Sequence, residues 1–392
     1  MTLNGPTQGA DFARCSCMKA CAAAASILLV SALATSHAQP LRSDDAAEYE
    51  RVQAAAMRRA QVWLDPVTPI EEAALGTNPP DAKALGLSDV VRCQFKPGGV
   101  SGSTPKFDCT LHGGETVKVK YGRDNPEVYS EIISSRLLAA VGFPADRMYV
   151  VDRVRCFGCP PDPFAGLQCV NEGVGLDVCF PNLDFDHYED FEAAVIERPV
   201  EGRRIETAKE RGWTWEQLAS IDPAAGGSPR AHVDALRLLA VFLNHWDNKA
   251  KNQRLLCLGE TDPPGRLLDP RPCSRPVAMV QDLGGTFGPP KLDLANWART
   301  PIWIDTDRCA VSMKALPYEG STFPDTEISE EGRRFLGERL SRFSAQQIRE
   351  LFDGARLSRY PHKDALAADV LNWVRAFQHK VSAIVDRAPC PM

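Results

Sequence analysis

Apolar and polar positions alternate along residues 90–95 (VVRCQF), 106–111 (KFDCTL) and 116–122 (TVKVKYG), the two-residue period of half-buried strands. A Gly/Ser loop separates the first two runs and HGGE (112–115) the second two, which predicts an antiparallel meander. From Asn125 the period lengthens. Val128, Ile132, Leu137, Leu138 and Val141 recur on one face, Pro126 suits the first turn and Gly142 ends it, so a helix is predicted. MYVVDRV (148–154) and FEAAVIERPV (191–200) read as strands around a Cys- and Pro-rich loop. Beyond them WTWEQLASI, SPRAHVDALRLLAVFLNH, SEEGRRFLGERL, SAQQIRELFDGA and KDALAADVLNWVRAFQHKVSAIV read as helices, interrupted by a strand pair at QRLLCL and PVAMV. Ahead of the meander, residues 42–64 predict an alanine-rich helix with Ser43 as its cap, an appendage on this reading, and 65–88 a Pro/Gly-rich connector. The fold class is α+β, a β-rich half with one helix followed by a helical half.

Composition narrows this little. The chain is 44% hydrophobic and 24% charged, which excludes collagenous and disordered classes. A net charge of −6 gives no basic field for nucleic acid or an anionic membrane. The N-terminus says more. From Met18, Lys19 supplies a positive n-region, Ala22 to Leu33 a short apolar run, and Ser36-His37-Ala38 a small-x-small cleavage site, so residues 1–38 read as a secretory signal peptide whose true start is Met18 or Met1. The apolar run is shorter than the roughly 20 residues that span a bilayer, and membrane contact is expected only if the segment stays uncleaved. Cleavage would remove Cys15, Cys17 and Cys21 of the 13 cysteines, leaving an even number. In an exported chain, periplasmic or secreted, these read first as disulfides. Cys93 with Cys109 and Cys257 with Cys273 bracket Gly/Pro-rich segments as hairpin staples would. The rival reading is zinc held by Cys156, Cys159, Cys169 and Cys179.

Candidate chemistry begins at 242–256, FLNHWDNKAKNQRLL. An apolar helix ends in His245, Trp246 and Asp247, Asn252 follows five positions later, and a strand begins at once. The next strand ends in Gln281-Asp282-Leu283-Gly284-Gly285. Phosphoryl transfer from a nucleotide needs a carboxylate to orient the acceptor hydroxyl, and an amide oxygen and a second carboxylate to hold Mg²⁺. Asp247, Asn252 and Asp282 fill those roles in order, and Lys249 is placed to reach the transferred phosphate. His245 either supports the loop backbone or packs at the helix end. No H-E-x-x-H or G-x-S-x-G element is present, which removes the main arguments for a zinc protease or a serine hydrolase.

The D-x-x-x-x-N spacing followed by a strand pair and D-L-G resembles the catalytic loop and metal-binding motif of the protein-kinase-like superfamily. The likeness is closer to its atypical branches, the HipA-like and phosphatidylinositol 3/4-kinase-like kinases, whose loops carry elements echoed here by Asn244, Asp247, Lys251 and Asn252. It departs from them in placing His245-Trp246 between the Asn and the Asp, in lacking an arginine just before Asp247, and in the TDPPGRLLDPRPCSRP insertion before Asp282. The resemblance covers about residues 90–355 and implies a two-lobed fold, ATP and Mg²⁺ (or Mn²⁺). It implies a phosphate-covering loop at Gly99, Ser101, Gly102 and Lys106, a phosphate-pairing lysine at Lys118 or Lys120, and Glu131 as that lysine's partner, with Glu127 one turn before it. It also implies a hinge for adenine near Glu197-Arg198-Pro199.

The expected organisation is a signal peptide (1–38), a helical extension and linker (39–88), a small lobe (89–198) and a helical lobe (199–388). The expected function is transfer of phosphate from ATP to a hydroxyl of a protein or small molecule. Two alternatives stand beside it: an inactive pseudokinase or secreted interaction module, and a nucleotidyl transferase on the same fold.

Overall fold

In the computed structural model, the described residues are 43–81, 83–98, 102–209, 211–263 and 268–391. The expected signal peptide, Gly99 and Ser101 lie outside them. Strand β1 (Val90–Lys96) buries every second side chain. It pairs antiparallel with β2 (Lys106–Leu111), and β2 with β3 (Thr116–Lys120), the meander the alternation predicts. The register sets Lys106 opposite Lys120 and Asp108 opposite Lys118. These four therefore share one face, while Phe107, Cys109, Val117 and Val119 on the other face build a core with Phe164, Leu167, Phe191 and Ile196.

Helix α1 spans Ser43–Arg58 and α2 Glu127–Val141. Each of the two single strands expected at 148–154 and 191–200 is broken. The first becomes β4 (Arg147–Val150) and β5 (Arg153–Phe157); the second becomes β6 (Tyr188–Glu192) and β7 (Val195–Arg198), with Ala193 between them at φ 47°. The two halves keep one antiparallel register, Arg147 opposite Arg198 at one end and Phe157 opposite Tyr188 at the other. The break lets β7 join β3 while β5 runs parallel to β1. One long hairpin thus reaches both edges of the meander, and the seven strands, ordered β4-β7-β3-β2-β1-β5-β6, curl around the apolar face. The loop inside this hairpin carries α3 (Pro163–Asn171) and α4 (Leu176–Cys179).

The second half contains α5 (Arg230–Phe242), α6 (Leu294–Arg299), α7 (Glu330–Ser341), α8 (Ala345–Gly354), α9 (Ala365–Ala368) and α10 (Val370–Val385). WTWEQLASI forms a 3₁₀ turn, Trp215–Ser220, rather than an α-helix. The last predicted helix divides at Asp369, whose side chain caps α10 by accepting from the Leu371 amide. A three-stranded sheet joins β8 (Arg203–Arg204), β9 (Gln253–Cys257) and β10 (Pro276–Val280), and β11 (Ala310–Val311) pairs with β12 (Thr326–Glu327). Trp297, Trp373, Phe242, Phe287 and Phe352 centre the main core.

The N-terminal helix and the segment that follows it are no appendage. Ala56, Met57, Ala60 and Val62 lie in the main core, and Gln61 bridges to Val277 of β10. Trp63 donates its indole N–H to the Val141 carbonyl at the end of α2. Gly142, at φ 92°, packs so closely on Trp63 that a Cβ would lie 2.3 Å from the ring nitrogen. Leu41–Met392 form one compact unit. Disulfides join Cys93–Cys109, Cys156–Cys159, Cys169–Cys179, Cys257–Cys273 and Cys309–Cys390. The two hairpin staples are as expected, and the four cysteines of the rival zinc reading are taken up in two separate bonds. Among the described residues no helix is long and apolar enough to cross a membrane.

Candidate active site

The polar end of α5 begins as a helix stop. The His245 amide donates to the Ala240 carbonyl and the Asn244 amide to Val241, with Asn244 left-handed at φ 51°. This is a Schellman cap with Asn in place of Gly, which gives Asn244 a structural task the loop resemblance does not supply. His245 is buried against Trp215. Burial pushes its imidazole down to about 4, against the pull of Asp247 and Asp282. Both its ring nitrogens, both amide atoms of Asn244 and the Trp246 indole nitrogen are buried without hydrogen-bond partners. Orphaned polar atoms are costly and few in folded chains, and here they sit on consecutive residues leading into Asp247.

One side-chain and two backbone hydrogen bonds then tie the three candidate residues' segments together. The Asn252 side-chain amide donates to the Asp247 carbonyl at 2.7 Å. The Asn252 carbonyl accepts from both the Gln281 and Asp282 amides, at 3.0 and 3.2 Å. The Trp246 amide reaches the Gly285 carbonyl and the Phe287 amide the Leu243 carbonyl, so the loop and the Asp-Leu-Gly-Gly turn are laced side by side. Gly285 is required there, because a Cβ would lie 2.7 Å from that of Asp247. Lys249 Nζ is 3.1 Å from Asp247 Oδ1, out of hydrogen-bond alignment, with its stem on Gly320.

Opposite stands the charged face of the meander. Lys120 Nζ bonds Glu131 Oε1 and lies 3.4 Å from Glu197 and 3.9 Å from Glu127. Burial opposes its charge, but Glu131, Glu197, Asp282 and Glu127 together hold the ammonium well above its usual range. Lys118 instead pairs with Glu197 at 2.6 Å, so the geometry gives the α2 ion pair to Lys120. Burial would raise the Glu197 carboxyl, yet Lys118 and Lys120 bring it down to about 2. Asp282 behaves alike: against burial, Lys120 and Lys106 and the Gly284 amide hold it well below the carboxylate range. Lys106 is buried; burial and Lys120 lower its ammonium, while Glu127, Asp282 and Glu131 oppose the shift. Gly102, at φ 96°, adjoins it, and a Cβ there would lie 2.7 Å from Lys106 Nζ. Helix α2 is fixed to the turn by Ser130 Oγ donating to the Gly284 carbonyl and by Ser134 meeting Thr286.

Beside this cluster runs a cleft of about 500 Å³. Lys118 and Glu197 line one side, Leu256, Met279 and Gln281 another, and Pro199 to Gly202 its edge. The expected hinge therefore borders a cavity. The Val200 amide is taken by Asp146 Oδ1 at 2.9 Å. Burial and Glu197 push the Asp146 carboxyl up to about 7, although the Val200 amide, Lys118 and Gln281 pull it down. Asp262, near the start of the insertion that sets this chain apart, lines the cleft. The insertion is stapled by Cys257–Cys273 and anchored by Arg203 donating to the Arg271 and Pro272 carbonyls and Arg204 to Asp262.

Three contributors escaped the sequence reading. Asn248 accepts from the Thr322 and Phe323 amides and donates to the His245 carbonyl, tying the loop to a distant segment. Asp146, just before β4, bonds the Val200 amide, and Lys291, beyond the Asp282 turn, pairs with Glu127; neither belongs to a motif. No residue pattern announces any of them, since their partners lie far along the chain.

No family model matches the sequence, and no curated protein matches it. Among solved structures, the chain is similar to the Helicobacter pylori proinflammatory kinase CtkA, with 11% identity, 76% of this chain and 96% of that one covered, and a TM-score of 0.40. It is also similar to the Golgi casein kinase, with 13% identity, 90% of this chain and 82% of that one covered, and a TM-score of 0.31. At these identities and TM-scores neither likeness assigns the chain to a family.

Proposed function

We propose that this chain is an exported, kinase-like phosphotransferase that moves the terminal phosphoryl group of ATP to a hydroxyl of a protein or small molecule. The carrying observation is the convergence of Asp247, Asn252 and Asp282 opposite the buried Lys120–Glu131 pair. On this reading residues 89–198 act as the small lobe and 199–388 as the helical lobe, with the 500 Å³ cleft beside Glu197 taking the base.

The donor set suits a hard divalent cation. Asp282 is held as a carboxylate, and the Asn252 amide nitrogen is spent on Asp247, leaving the amide oxygen for Mg²⁺ or Mn²⁺. When bound, the cation neutralises charge on the phosphates. Asp247 accepts the proton of the acceptor hydroxyl as its oxygen bonds the terminal phosphorus; the bond from that phosphorus to the bridging oxygen breaks, and ADP leaves. Lys249, beside Asp247, offers its ammonium to the transferred phosphoryl oxygens. Lys120, positioned by Glu131, and Lys106 beside Gly102 hold the remaining phosphates. The five disulfides support an oxidising compartment.

The test is thermal unfolding of the full chain with Mg²⁺ and ATP beside Asp282→Ala. The expected result is stabilisation of the wild type alone by ligand linkage; no nucleotide-dependent stabilisation would refute the reading.

A further inference from the structure

Glu127 and Lys291 have no task in the phosphotransferase mechanism. Glu127 opens α2 and is 6% exposed, and its carboxylate gathers contacts from three separate segments. Thr104, in the loop between β1 and β2, donates its hydroxyl to Oε2. Lys291, beyond the Asp282 turn, pairs with Oε1, and Lys120 Nζ lies 3.9 Å from Oε2. Gly284 of the Asp282 turn lies directly against it, since a Cβ there would be 2.6 Å from Glu127 Cγ. Glu127 therefore stands among the loop, the lysine and the turn that would surround the phosphates of a nucleotide.

Lys118, Lys120 and Lys291 each lie within ion-pair distance of Glu127, Glu131 or Glu197, so these three ammonium groups are already partnered by carboxylates. A triphosphate remains a net anion even with one divalent cation, and a lysine that leaves its carboxylate for the phosphates adds compensating charge. Lys120 is committed, at 3% exposure against the 4% of Glu131. Lys291 is the freer of the two, 17% exposed, and its carboxylate partner keeps the Thr104 hydroxyl when the lysine leaves. The backbone carrying Lys291 is fixed by Asn296 donating to the Pro289 carbonyl at 2.6 Å and by the Asp293 amide donating to Phe287. Only the side chain has to swing.

We propose that Lys291 is a phosphate-binding residue, exchanged from Glu127 to the terminal phosphates when the nucleotide enters. The proposal rests on the phosphotransferase reading and adds to it a third cation, supplied by the segment after the Asp282 turn.

The experiment is calorimetric binding of a non-hydrolysable ATP analogue with Mg²⁺, and of AMP, to the full chain as wild type, Lys291→Met, Lys291→Arg and Glu127→Gln. A charge-assisted bond to phosphate predicts that Lys291→Met weakens the analogue by about tenfold or more and leaves AMP unchanged. Lys291→Arg restores most of the loss, and Glu127→Gln, which releases the lysine beforehand, tightens the analogue. Unchanged analogue binding in Lys291→Met, an equal loss for AMP, or weaker analogue binding in Glu127→Gln would each overturn the proposal while the function stands. A wild type that binds neither ligand overturns both.

Discussion

Lys120 and Glu131 form an ion pair with 3% and 4% side-chain exposure, joining the last strand of the meander to helix α2. The pair fixes α2 beside the Asp282 turn, and it also holds a cation ready at the site. Removing one partner of a buried pair leaves the other uncompensated, which typically costs about 3–5 kcal/mol. Lys120→Met and Glu131→Gln are each expected to lower unfolding free energy by about that amount, and the double variant by much less than the sum. Urea unfolding of the four proteins measures the coupling; additive losses would show that the two side chains do not act as a pair.

Gly285 separates fold from chemistry. A Cβ there meets Asp247 at 2.7 Å and its amide nitrogen at 3.2 Å, and that backbone is laced in place, so Gly285→Ala must displace the Asp247 carboxylate. A shift of about 1 Å in a reacting group costs on the order of 10²-fold in rate. The variant is expected to retain nucleotide binding and lose transfer to that degree, read from kcat against KM. A variant with wild-type kcat would remove Asp247 from the proton-accepting role.

Two buried groups give stability opposite dependences on pH. Asp146, pushed up to about 7 by burial and Glu197, stays protonated in the folded chain at pH values where the unfolded chain has ionised it. Its contribution is therefore full below the ordinary value of 3.8 and is lost as pH rises toward 7. His245, pushed down to about 4 by burial, takes no proton when folded while the unfolded imidazole does, so its contribution is lost as pH falls from 6.5 toward 4. The slopes offset each other in the wild type. Asp146→Asn removes the first, and the stability difference between variant and wild type should grow by about 1.4 kcal/mol per pH unit between these limits. Urea unfolding across that range measures it; a pH-independent difference would contradict the assignment.

The legible parts of this site are those written in short spacings. Asp247 and Asn252 share one loop, Asp282 follows the second strand after it, and Lys118 and Lys120 share one strand face. Choosing between the two lysines needed a register, because only pairing shows Glu197 opposite Lys118. The breaks that split two predicted strands into four were illegible for a related reason: a period of two shows which face is buried and says nothing of which edge a strand joins. Lys291 meets Glu127 across 164 residues and Asn248 meets Thr322 across 74, distances that no local pattern spans. Arg203 carries no local signal either, yet it is fully buried and donates to the Arg271 and Pro272 carbonyls of the insertion.

The central claim is that Asp247, Asn252 and Asp282 converge to transfer a phosphoryl group. Its most direct measurement is transfer of radiolabelled terminal phosphate from ATP to hydroxyl acceptors, including the chain itself, with Mg²⁺ or Mn²⁺, by the wild type beside Asp247→Asn and Asp282→Asn. The account predicts label transfer by the wild type and a loss of at least about 10²-fold in each variant. Absence of transfer in a wild type that binds nucleotide, or equal transfer by all three proteins, would contradict it.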